Sequence, residues 1–193
     1  MNRTVITRRA LAAGVAAVAA MALAACGDDP ADDTGSSEEA SFNDADVEFA
    51  QMMIVHHEQA VEMSAMAADR AQDPEVLELA DQIEAAQAPE IETMTGWLEA
   101  WGEPVEMSEH SGHGGTMPGM IDEEHMSMME EASGVEFDTH FAESMIAHHE
   151  GAIEMSETEI ADGENPDAIA LAEAIIDAQQ AEITQMEAIL ERL

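Results

Sequence analysis

The chain of 193 residues carries 43 acidic side chains against 5 basic ones, a formal net charge of −38, which argues against nucleic-acid or anionic-lipid partners and favours cations. Helix formers dominate, tyrosine is absent and aromatic residues make up 3%, so the expectation is an all-α fold in one domain with a core of its own. Cys26 is the single cysteine, which excludes an intramolecular disulfide and leaves thioether and imidazole as the soft donors.

Residues 1–25 begin with Arg3, Arg8 and Arg9 and continue as a short apolar Ala/Val/Leu run, the pattern of a signal peptide. The run ends in Leu23-Ala24-Ala25-Cys26, which resembles a bacterial lipobox, so Cys26 is the expected lipid attachment site. The implied location is extracytoplasmic, in the cell envelope, held to the bacterial membrane through the lipid anchor only. Thr7-Arg8-Arg9 also resembles a twin-arginine signal, and the general secretory and twin-arginine routes both stay open. After cleavage, Arg70 and Arg192 would face all 43 acids. Residues 26–43 are acidic and contain Gly, Ser and Pro, and read as a disordered tether.

A first helix is expected from Asn43 or Asp44, both good N-caps. At 100° per residue, Phe49, Met53, His56, Ala60 and Met63 share one stripe, with His57 at its flank and Glu58 and Glu62 turned away. Asp73-Pro74 is a second helix start, an N-cap followed by proline at the first helical position. Val76, Leu77, Ala80, Ile83, Gln87, Ile91, Met94 and Leu98 then repeat at helical spacing as far as Trp101, and Pro89 within them predicts a kink or a local break. Residues 102–134 form a long Met/His-rich connection with one short helix near 121–132. A third long helix from about Asp138 carries His148 and His149, and Asn165-Pro166 opens a fourth.

Shifting the chain by 92 residues superposes 49–98 on 141–190 without a gap, with about 21 of 50 positions identical, among them Gln87/Gln179, Glu90/Glu182 and Met94/Met186. Two such hairpins, each with one apolar face, bury those faces best against each other. The expected architecture is therefore a four-helix bundle over residues 44–193, made of repeat one (44–101), the connection (102–134) and repeat two (135–193), with pseudo-twofold symmetry.

Each repeat places a histidine pair among methionines: Met53, His56, His57 and Met63 in the first, Met145, His148, His149 and Met155 in the second. Thioether selects soft cations and imidazole accepts copper or zinc, so these eight residues are the candidate metal ligands, with Cu(I) the favoured ion and Ag(I) its mimic. The connection could be a second, looser metal-collecting segment. The alternative is a non-metal helical interaction module with structural or pH-sensing histidines.

An enzyme is not expected. The His-Glu-x-x-His of zinc proteases lacks its second histidine in both copies, Glu-x-x-His of di-iron bundles is absent from both His-His helices, and no Gly-rich phosphate loop is present.

Met53-Ile54-x-His56-His57-x-x-Ala60, Met145-Ile146-x-His148-His149-Glu150-Gly151-Ala152-Ile153-Glu154-Met155 and Met117-Pro118-Gly119-Met120 resemble the domain-of-unknown-function family DUF-305, which includes CopM-like copper-binding proteins of the bacterial periplasm. The resemblance covers residues 44–193 and implies a ferritin-like four-helix bundle, an exported location and Cu(I)/Ag(I) binding. The first copy has Met52-Met53 where the second has Ser144-Met145, so the halves need not bind equally. The implied partners are the metal ion and a second copy of the chain or a metal-accepting protein.

Overall fold

The computed structural model describes residues 41–106 and 117–193. The signal and tether segments, apart from Ser41–Asn43, and Met107, His110 and His113 of the connection lie outside these residues. Among the described residues there are five helices and no strand: α1 (Asp44–Arg70), α2 (Pro74–Trp101), α3 (Glu123–Glu131), α4 (Val135–Asp162) and α5 (Pro166–Leu190). No helix among them is long and apolar enough to cross a membrane.

The helix starts follow from the capping chemistry. Asn43 accepts from the amides of Ala45 and Asp46, and Asp46 returns a bond to the Asn43 amide, a reciprocal capping box. Asp73 and Asn165 cap α2 and α5 through the amides of Glu75 and of Asp167 and Ala168, each with proline at the next position. Gly102, in the left-handed conformation at φ 77°, closes α2. Of the kink or local break expected at Pro89, the break is not present: α2 is continuous from Pro74 to Trp101. Pro89 and Ala85, whose carbonyl loses its amide partner, both lie on the exposed face, where water can take up the bond.

α1 packs against α2 and α4 against α5, forming two antiparallel hairpins, and the hairpins meet chiefly through α1 and α4. Those two helices are antiparallel, since Asn43 at the start of α1 donates to the Asp162 carbonyl at the end of α4, and the Gly134 amide donates to the Arg70 carbonyl at the other end. α2 and α5 run in opposite directions too, tied by Arg192 to Asp73 and Glu75. α2 therefore ends at the opposite end of the bundle from the start of α4, and residues 102–134 must travel its length. A bundle with one such crossover has the ferritin-like topology expected.

The pseudo-twofold symmetry extends to buried polar groups. Asp46 accepts from the amides of Glu164 (3.2 Å) and Asn165 (2.8 Å), while its counterpart Asp138 accepts from Gln72 (3.0 Å) and Asp73 (2.9 Å). Each first helix thus begins with a buried carboxylate that satisfies the amides of the other hairpin's turn. Burial alone would push the Asp46 carboxyl up, but the Asn43 amide, the Glu159 carboxyl and the amides of Asn165 and Glu164 hold it below its ordinary value.

The core forms two apolar clusters. One gathers Met63, Leu79, Ile83, Phe137, Phe141, Met145 and Met186; the other gathers Phe49, Met53, Met94, Leu98, Met155 and Ile175. On α2 the buried apolar face includes Leu79, and Leu77 and Ile91, expected there from spacing, are only half-buried. Phe42, at the end of the expected tether, stacks on Trp101 with ring centroids 4.7 Å apart, and the Ser41 carbonyl accepts from the Asn165 side chain.

Candidate metal centre

The four histidines come together between the two apolar clusters, all with no solvent exposure. Sequence spacing put His57 at the flank of α1; it is instead wholly buried, because α2 packs over it. The His56 and His148 rings face each other across α1 and α4 with centroids 3.7 Å apart and planes tilted by 37°. They meet at the pseudo-twofold axis, since the repeat offset carries one histidine onto the other.

His57 and His149 turn outward, each toward the second helix of its own hairpin. His57 Nε2 lies 2.8 Å from a Glu90 carboxylate oxygen, and His149 Nε2 lies 2.6 Å from Glu182. An imidazole that donates Nε2–H to a carboxylate keeps its lone pair on Nδ1, and that carboxylate makes the lone pair more basic. Both Nδ1 atoms are buried without a hydrogen-bond partner, as are Nδ1 of His56 and both ring nitrogens of His148. Buried polar atoms are ordinarily paired, so these five orphaned ring nitrogens, which carry four lone pairs because one His148 nitrogen holds a proton in the neutral ring, form a donor set without an acceptor. Glu90 and Glu182 were not singled out as site residues from the sequence, and their identity between the repeats was the available signal.

His56 and His148 favour the neutral imidazole. Burial, with the neighbouring His57 next in importance, pushes His56 down to about 3 against the opposing bond to Pro118. Burial and the proximity of His56 push His148 far down as well. Neutral rings at pH 7 are what a metal requires.

The methionines divide by level. Met53 and Met145 are one helical turn from His56 and His148, and because α1 and α4 are antiparallel they flank the layer on opposite sides. Met63 and Met155 follow His56 and His148 by seven residues, roughly 10 Å along the helix. All four are buried, but helical rise separates Met63 and Met155 from an ion held by the histidines. Among the described residues no three His, Cys, Asp or Glu side chains already converge in a cage.

The crossover lies over this layer. His56 Nε2 donates to the Pro118 carbonyl at 3.1 Å, and Gln59 clasps Ile121 twice, its amide nitrogen to the Ile121 carbonyl and its oxygen to the Ile121 amide, both at 2.8 Å. The counterpart of Gln59 in the second repeat is Gly151, whose Cα meets the same segment. A Cβ at Gly151 would overlap the Pro118 backbone, and one at Gly119 would lie 2.7 Å from the Ala147 carbonyl oxygen. Glutamine holds the strap on one side and glycine makes room for it on the other. Of the remaining connection residues, His125 is exposed on α3 and bonded to Asp122 at 2.7 Å, away from the layer, whereas Met129 packs in the core.

A helical bundle with a buried, carboxylate-backed histidine layer on its internal twofold axis is the class these features define. The family model described as a domain of unknown function, DUF305, matches residues 46–190, and the chain belongs to that family. It is similar to the crystal structure of a DUF305 protein from Streptomyces coelicolor (33% identity, 77% of this chain and 93% of that one, TM-score 0.70). A DUF305 fragment from Deinococcus radiodurans is similar at 30% identity over 78% of this chain and 98% of that one, with TM-score 0.70. CopM in its Cu(I)-bound form matches at 31% identity over 76% of this chain and 96% of that one, TM-score 0.65, and its Cu(II)-bound and silver-bound forms match as well. No curated protein matches the chain.

Proposed function

We propose that this protein binds copper, as Cu(I), with Ag(I) as its mimic, through His56, His57, His148 and His149, and that Met53 and Met145 supply thioether from the flanking turns. The observation that carries the reading is the pair of bonds from His57 to Glu90 and from His149 to Glu182, which leave two buried Nδ1 lone pairs in symmetric positions. Similarity to CopM structures holding Cu(I), Cu(II) and silver supports the choice of ion. The role is sequestration, resistance or handover to a metal-accepting protein, outside the cytoplasm, with the chain anchored by lipid at Cys26. It is a binding protein rather than an enzyme, since no motif in the chain supplies a reaction.

The test is Cu(I) titration against a competing chelator, comparing the protein with a His57→Ala/His149→Ala variant whose helicity is checked by circular dichroism. Tight binding by the protein and loss in a folded variant support the layer as the site. Equal binding by both would move the metal to the connection. No binding by either would leave the histidines structural and favour the interaction-module alternative.

A further inference from the structure

At the end of the bundle where α1 begins and α4 ends, a pocket of about 270 Å³ opens between the two helices. Its floor includes Glu159, which is 1% exposed and whose two carboxylate oxygens have no hydrogen-bond donor. Its polar neighbour is Asp46, already saturated by backbone amides, so two carboxyl groups face each other and only a proton on Glu159, shared with Asp46, relieves the charge. Burying a carboxyl group beside a carboxylate is costly, and the fold does not need this one. The repeat supplies the comparison, because the counterpart of Glu159 at the other end of the bundle is Ala67, buried in an ordinary apolar cluster.

The rest of the pocket departs from its counterpart in the same sense. Ala45 stands where the other end has Phe137, which is fully buried and stacks on Phe141 to fill that space. Met52 replaces Ser144, and at the rim Asp162 replaces Arg70. Gly163 replaces Ala71, and a Cβ at Gly163 would overlap the Glu159 carboxyl. Space has been opened, an acid placed at its base, a cation removed from its rim and a glycine set to admit the acid. Met155 completes the wall opposite Met52.

We propose that this pocket is a second metal site, separate from the histidine layer, for a soft monovalent cation of the Cu(I)/Ag(I) class, with Glu159 as the anionic ligand and Met52 and Met155 as thioether donors. A monovalent cation that displaces the Glu159 proton is balanced by the one carboxylate charge this leaves, and thioether selects soft ions. A hard divalent ion such as Ca²⁺ wants six to eight oxygen ligands; Glu48, Glu159 and Asp162 all line the pocket, but among the described residues no three such side chains come together as a metal-holding group. The site also gives Met155 a place that its distance from the histidines denies it in the central layer.

The test uses the full chain labelled with ¹³C at the methionine methyl groups, titrated with Ag(I) in chloride-free buffer at pH 7. The variants are Glu159→Gln, which keeps the shape and removes the charge, and Met52→Ser, the residue that the other repeat carries. The expected result is that the Met52 and Met155 methyl signals move with Ag(I), that Glu159→Gln weakens this response tenfold or more, that Met52→Ser weakens the response at Met155, and that Ca²⁺ moves neither signal. Unmoved Met52 and Met155 signals, an unchanged response in either variant, or a response to Ca²⁺ would each overturn the proposal. The methyl signals of Met53 and Met145 report the histidine layer in the same spectra, so failure of the pocket and failure of the layer are read separately.

Discussion

At the residue scale, the two glutamates behind the histidines are the sharpest handle on the site. Replacing Glu90 and Glu182 by glutamine keeps the shape but removes the negative charge that raises the basicity of the Nδ1 lone pair. Loss of such an outer partner typically weakens metal affinity by 10–100-fold. The Glu90→Gln/Glu182→Gln variant should lose Cu(I) affinity by that factor in chelator competition while its helicity stays unchanged; unaltered affinity would disconnect the glutamates from the metal. The same residue scale governs the response of the metal-free protein to pH. His56 sits at about 3 when folded against 6.5 when free, so its contribution to stability is whole above pH 6.5 and is lost as pH falls toward 3. His148 shifts in the same direction. Glu159, pushed up to about 8 from 4.5 by burial and by Asp46, behaves oppositely: its contribution is whole below pH 4.5 and is lost as pH rises through 8. Between pH 4.5 and 6.5 the two histidines outweigh the one acid, and above 6.5 they contribute no further rise, while the acid and His125, raised by its bond to Asp122, both lose their contributions. Thermal unfolding without metal should therefore show greatest stability near pH 6.5, and Glu159→Gln should flatten the alkaline side and steepen the rise between pH 4.5 and 6.5. The histidine pairs were legible in the sequence because they recur at one offset on matching helical stripes. Their partners were not, because Glu90 lies 33 residues from His57 and pairing them requires knowing which face α2 turns toward α1.

At the scale of elements, the caps and prolines announced α1, α2 and α5, and the structure places them there because those devices act locally. α4, expected from about Asp138, begins at Val135 after Gly134, which gives no side-chain cap. The path of the crossover could not be read the same way. Pro118 and Gly119 look like an ordinary turn until α4 is seen to present Gly151 beneath them. Two substitutions examine that contact from opposite sides. Gly151→Ala forces a methyl group into the Pro118 backbone and should destabilise the protein by about 1–3 kcal/mol, the usual cost of overpacking. Gln59→Ala removes both bonds to Ile121 and should cost about 1–3 kcal/mol, with the faster amide exchange confined to Ile121 and its neighbours. Denaturant titration gives the energies and hydrogen exchange gives the place. Global loosening in Gln59→Ala would mean that the strap is integral to the core instead of resting on it.

At the scale of the whole molecule, 43 acidic side chains against 5 basic ones leave the folded state under strong self-repulsion. At physiological ionic strength charges further apart than about 8 Å are already largely screened, so the penalty is greatest in dilute buffer. Raising sodium chloride from 10 to 500 mM should raise the midpoint of thermal unfolding by several degrees, measured by circular dichroism; a flat response would show that the acids are arranged to avoid one another. The symmetric architecture was legible in outline, because a gapless repeat of two hairpins allows few arrangements. The asymmetry was harder to see. It lies in scattered exchanges such as Glu159 for Ala67 and Gly163 for Ala71, which look like neutral drift until the structure brings them side by side.

The chain order of the bundle also has a consequence for the sequence of folding events. α1 with α2 and α4 with α5 are neighbours along the chain, so each hairpin closes through short loops, whereas the α1–α4 contact joins segments separated by the whole crossover. Local pairs form early and distant ones late. The facing rings of His56 and His148 belong to the late contact, so the histidine layer exists only once the hairpins have docked. An ion held there would bind the docked state alone and shift the docking equilibrium by RT ln(1 + [L]/Kd). Metal would then act as a latch between two preformed halves, and removing it would let them part before either half unravels.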